Sequence, residues 1–103
     1  MIIAFSVAPT ETPDSTAEMA DAVSEAVSVV RASGLPNETN AMFTLVEGEW
    51  DEVMAVVREA TEAVAAVSPR VSLVLKADIR PGHTGQLTQK VESVEKRLSG
   101  GEK

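Results

Sequence analysis

What most constrains this chain is where its hydrophobic period changes. From Ile2 to Ala8 the residues alternate, with Ile3, Phe5 and Val7 on one side and Ile2, Ala4, Ser6 and Ala8 on the other; this is the period-two pattern of a strand with one buried face. Pro9 ends it. After the polar stretch 10–14 the spacing becomes helical. Met19, Val23, Val27 and Val30 recur with Ala22 and Ala26 beside them, and Ser15 with Glu18 makes a capping box. Gly34, followed by Leu35 and Pro36, supplies the stop.

The same alternation of periods recurs. Residues 38–48 mix β-branched and aromatic with polar residues between Pro36-Asn37 and Gly48, and read as one strand or as a short hairpin; no Asn-Gly or Asp-Gly turn decides between them. Trp50, Val53, Met54, Val57, Ala60, Val64 and Val67 then mark one face of a second helix. Glu49, Asp51 and Glu52 sit at its positive end, and it stops before Pro69. Val71 to Arg80 alternates again, with Val71, Leu73, Leu75, Ala77 and Ile79 facing a core and Ser72, Val74, Lys76, Asp78 and Arg80 opposite. Residues 81–85 form a turn, and Leu87, Val91, Val94 and Leu98 draw a narrow stripe on a third helix.

With 103 residues there is room for one core, so residues 1–98 form a single domain and 99–103 a flexible tail. The element order predicts an α+β protein: two helices against one face of a small antiparallel or mixed sheet, the split βαβ or ferredoxin-like arrangement. Two helices cover such a sheet. The third is surplus, so its stripe needs either the sheet's open face or another subunit, and a homo-oligomer is the economical expectation.

Charge narrows the partners. Residues 1–69 carry twelve acidic and two basic groups, residues 70–103 four acidic and seven basic, and the whole chain is net −7. That balance argues against nucleic acid and anionic lipid as partners. No signal peptide or membrane span is visible at the start, which makes a cytoplasmic location the expectation. Cysteine is absent and His83 is the only histidine, so thiolate and multi-histidine metal sites are excluded. His83 reads as a turn residue. The carboxylates of Glu49, Asp51 and Glu52 lack an EF-hand spacing and read as helix N-terminal charges; no metal or cofactor is expected.

Residues suited to a polar ligand remain. Glu47, at a strand end beside Gly48, is placed to point into a cleft, and Asp78 shares a strand face with Lys76 and Arg80, suited to a ligand or to intersubunit ion pairs. Ser6, Asn40 and Thr44 add uncharged donors and acceptors, while Met42 and Phe43 offer an apolar wall. Trp50 is expected in the core. Glu47 or Asp78 as a general base has no positioned acid, nucleophile or metal beside it, so the chain reads as a non-catalytic protein.

With those residues in view, the chain from Ile2 to about Leu98 resembles the thiamine-binding protein family of small ferredoxin-like proteins. The resemblance rests on Ile2-Ile3-Ala4-Phe5-Ser6-Val7-Ala8-Pro9, on Val29-Val30-Arg31-Ala32-Ser33-Gly34-Leu35, on the run from Asn40 to Val53, and on the run from Arg70 to Arg80. It implies a βαββαβ fold with an added C-terminal helix, and it favours a hairpin bending near Ala41 to Phe43. It implies assembly into dimers or tetramers and binding of thiamine or its hydroxymethylpyrimidine portion without catalysis. Ser6, Asn40, Thr44, Glu47 and Asp78 would then be the polar contacts, and Met42 and Phe43 the apolar wall. The alternative is an oligomeric interaction or regulatory module with no thiamine ligand.

Overall fold

The computed structural model describes residues 1–10 and 16–100. In chain order they form β1 (Ile2–Pro9), α1 (Thr16–Ala32), β2 (Asn37–Thr39), β3 (Thr44–Glu47), α2 (Trp50–Ala65), β4 (Val71–Asp78) and α3 (Gln86–Gly100). The strands make one antiparallel sheet in the order β2-β3-β1-β4, with α1 and α2 on one face. This is the expected ferredoxin-like sandwich with an extra C-terminal helix. The capping box expected at Ser15 and the side chain of Met19 lie outside the described residues. So do residues 101–103 of the expected tail, whereas Ser99 and Gly100 belong to α3.

Register explains which face is buried. Ile3 stands between Val46 and Ala77, and Phe5 between Thr44 and Leu75, so side chains in these rows share a face. Ile3, Phe5 and Val7 are buried beneath the helices, while the even-numbered residues of β1 face the other way. The segment 37–47 is a hairpin. Its four-residue loop is braced by Asn40, whose side-chain Oδ1 accepts from the backbone N–H groups of Met42 and Phe43, both at 2.8 Å. That Asx brace does the work an Asn-Gly turn would do elsewhere.

The helices differ from expectation in detail. On α1 the buried row is Ala22, Ala26 and Val30, and Val23 is exposed. These residues are spaced by four, and alanine lets the helix backbone approach the sheet, which turns the neighbouring valine row outward. Gly34, at φ +82°, ends the helix as expected. On α2 the core row is Val53, Val56, Val57, Ala60 and Val64. Trp50, expected in the core, is 55% exposed, because it opens the helix beside the turn at Ile79 to His83 instead of over the sheet. The helix closes at Ala65, which leaves Val67 exposed.

The largest departure lies in β4. Leu73, Leu75 and Ile79 have the expected alternation yet are exposed, and the strand stops at Asp78, two residues early. The strand is at the rim of the sheet, with β1 as its only neighbour among the described strands, while the helix layer is centred on β1. Among the described residues the third helix makes its main contact with the body at its root, beside β3, and its stripe of Val91, Val94 and Leu98 is exposed. Protrusion of this helix accounts for a radius of gyration of 15.8 Å, against about 13 Å for a compact domain of this length.

Candidate functional site

Five of the seven residues expected to contact a ligand come together. Ser6, Asn40, Met42, Phe43 and Thr44 line a cleft of about 190 Å³ between β1, the β2–β3 loop and α1. Phe5 and Val7 form its floor, and Val23, Ala26 and Val27 close it from α1. Each element contributes for a local reason. The Asx brace presents Met42 and Phe43 at the mouth; strand alternation directs Thr44 inward, beside Phe5. Alternation sends the Ser6 side chain to the other face, so Ser6 joins this wall along its backbone.

Thr44 is the residue with unused chemistry. It is only 9% exposed, and among the described residues its hydroxyl has no hydrogen-bond partner. A buried hydroxyl without a partner costs about 1–3 kcal/mol, and such a group in a cleft wall is matched by whatever enters the cleft. The surrounding wall is apolar except for the amide of Asn40, Thr39 and backbone groups of the loop. The cleft therefore offers the buried hydroxyl of Thr44, the more exposed one of Thr39 opposite it, an aromatic ring from Phe43 and a pliable thioether from Met42, a set suited to a flat, partly polar ring.

Glu47 and Asp78 lie elsewhere. Both stand opposite Ile2, one on each side of β1, at the end of the sheet remote from the β2–β3 loop. Glu47 is 5% exposed, and its carboxylate clasps the start of α3: Oε2 accepts from the Gln86 N–H at 2.9 Å and Oε1 from the Leu87 N–H at 3.1 Å. A carboxylate at a helix N-terminus satisfies orphan N–H groups and meets the positive end of the dipole. Asp78 is exposed and lines none of the clefts described here.

A second cleft, of about 430 Å³, adjoins Glu47 between Leu35, Pro36, Gly48 and the first turn of α3. Sequence reasoning directs Glu47 into a cleft beside Gly48, and this cleft is lined by both residues; what it missed is the clasp on α3 that shapes the cleft. The available signal was the start of α3, which has no acidic residue in its first turn and so draws its acceptor from elsewhere. Glu49 and Glu52 behave as expected of helix N-terminal charges, forming a capping box in which Glu52 accepts the Glu49 N–H at 3.0 Å. No three metal-ligating side chains converge among the described residues, and no described helix is long and apolar enough to cross a membrane.

Comparison with known proteins agrees with this architecture. A family model described as thiamine-binding protein matches residues 3–95. The UPF0045 protein Mb1933 of Mycobacterium bovis is 56% identical over 99 residues, which cover 95% of this chain and 94% of that protein. Among solved structures, the protein MJ1052 of Methanocaldococcus jannaschii is similar at a TM-score of 0.79 with 29% identity, covering 91% of this chain and 94% of that one. A domain of unknown function, DUF77, from Bacillus cereus is similar at a TM-score of 0.77 with 31% identity, covering 87% and 85%.

Proposed function

Because this chain belongs to the thiamine-binding protein family, we propose that it is a non-catalytic small-molecule-binding protein whose ligand is thiamine or the hydroxymethylpyrimidine portion of it. The observation that carries this reading is the Thr44 hydroxyl, buried and without a partner among the described residues, in the wall of the β2–β3 cleft. An aminopyrimidine brings ring nitrogens and an amino group to that hydroxyl and to the loop backbone, and lays its face against Phe43. The cleft's 190 Å³ is below the roughly 300–1,000 Å³ that a drug-sized ligand fills. The pyrimidine half is therefore the part enclosed, and the cationic thiazolium lies outside, attracted by an acidic protein.

Isothermal titration calorimetry with thiamine and with hydroxymethylpyrimidine tests this at moderate salt, which suppresses nonspecific attraction. Both ligands should bind, with affinities within about tenfold of each other. Thr44→Val should weaken both by about tenfold or more, since it removes the hydroxyl and keeps the shape. Absence of binding by either ligand at two temperatures refutes the proposal.

We propose also that the protein assembles as a dimer or tetramer of itself, supported by the exposed apolar residues of β4 and α3 and by the opposite charge balance of residues 1–69 and 70–103. Leu98→Asp, or Leu87→Asp nearer the root, should then lower the sedimenting mass, because each places a charge in a dry contact. An unchanged mass counts against that interface.

A further inference from the structure

The sixteen acidic residues of this chain outnumber its nine basic ones, yet one groove reverses that sign. Between the end of β4 and α3, Arg80, Gln86, Gln89, Ser93, Val94 and Arg97 line a shallow, open groove of about 360 Å³, and no carboxylate is among them. The pattern comes from the helix itself. Gln86, Gln89, Ser93 and Arg97, at intervals of three, four and four, fall on one face, while Glu95 falls on the far side and Glu92 on a flank. Among the described residues neither Arg80 nor Arg97 has an ion-pair partner.

A second observation lies at the base of the groove. Gln86 is 6% exposed; its Nε2 donates to the Thr84 carbonyl at 3.3 Å and to Gln89 Oε1 at 2.8 Å. Among the described residues nothing donates to its Oε1. A buried amide oxygen left without a donor calls for one from outside. The groove thus combines two guanidinium groups, which pair with phosphate oxygens through forked N–H groups, with a buried acceptor suited to a hydroxyl or amino group.

We propose that this groove binds a small phosphate monoester that also carries a hydroxyl or amino group, with Arg80 and Arg97 on the phosphate and Gln86 on the donor. The groove shares no residue with the β2–β3 cleft, so either can be occupied while the other is empty. The net negative charge of the chain repels anions in general, so saturable phosphate binding marks a local site.

Calorimetric titration of the full chain with glycerol 3-phosphate, inorganic phosphate, lactate and glycerol tests the assignment. Glycerol 3-phosphate should bind saturably and about tenfold or more tightly than the other three. Arg97→Gln and Arg80→Gln should each weaken it by about tenfold, while Arg58→Gln, an exposed arginine on α2 outside the groove, should leave it unchanged. Gln86→Met should narrow the gap between glycerol 3-phosphate and inorganic phosphate. No saturable binding, equal binding of all three anions, or equal loss in the Arg97 and Arg58 variants would overturn the proposal. It is also overturned if Arg97→Gln changes only the sedimenting mass, since the groove is then a contact between copies of the chain.

Discussion

Residues 1–65 and residues 71–100 carry the same kind of apolar patterning and meet opposite fates. Among the described residues, all twelve buried apolar side chains of the core lie between Ile3 and Val64. Beyond them, Leu73, Val74, Leu75, Ile79, Val91, Val94 and Leu98 are exposed. The difference is one of neighbours. Among the described residues, strand β1 lies between two strands and under two helices, whereas β4 has one strand beside it and α3 meets the body mainly at its root. Periodicity in a sequence reports which face is apolar; what covers that face is decided by topology.

The sharpest way to break this comparison is to cut into the body. Phe5→Ala removes a side chain that is 2% exposed at the centre of the core, and should cost about 3–5 kcal/mol in urea unfolding. That is a large share of the roughly 5–15 kcal/mol that holds a domain of this size together. A loss below about 1 kcal/mol would mean that the region around β1 is not the seat of stability.

Glu47→Ala comes next and probes the seam between the two regions. It strips the acceptors from the Gln86 and Leu87 N–H groups, an effect of about 1–3 kcal/mol. Because α3 meets the body so sparsely, that loss should appear as faster amide exchange along α3 with β1 still protected. Glu47→Gln, which retains acceptor oxygen, should fall between. Equal acceleration in β1 and α3 would show that the two regions open as one unit.

Much of the body was legible in the sequence because its local signals agree with its tertiary surroundings. Alternation from Ile2 to Ala8, the stop at Gly34 and the acidic start of α2 each follow from short-range chemistry that the fold then uses. Val23 was misplaced because spacing alone cannot say which of two adjacent helical rows faces the sheet, and Trp50 because the first turn of α2 lies beside the turn at Ile79 to His83 and not over the sheet. The candidate site divides in the same way. Asn40, Met42, Phe43 and Thr44 fall within five consecutive residues, so one turn gathers them. Glu47 and Asp78 share that sheet, but the register sets them at its other end, and the partner of Glu47 is about forty residues away along the chain. No local pattern announces a contact of that separation.

A smaller effect tests whether the hairpin loop belongs to the rigid body. Asn40→Ala removes the acceptor for the Met42 and Phe43 N–H groups. It should cost about 1 kcal/mol, since the loop is open to water and the freed N–H groups are rehydrated. If Phe43 is held for a ligand by this brace, the same variant should weaken hydroxymethylpyrimidine binding more than it lowers stability. The reverse ordering would mark the loop as scaffold only.

The smallest expected effect is the most telling for the comparison. Leu98 is 75% exposed near the end of α3. In a dilute monomer Leu98→Ala should therefore change the unfolding free energy by no more than about 0.5 kcal/mol, as surface substitutions do, although leucine truncation in a core costs about 2–5. Raising the protein concentration turns this near-zero into a measurement. If a second copy covers α3, folding and association are linked, and the unfolding midpoint of the native chain should rise with concentration while that of the variant rises less. A cost of several kcal/mol at the lowest concentration would mean that Leu98 is already packed within a single chain. Parallel midpoints at every concentration would mean that the stripe on α3 is not where copies of the protein meet.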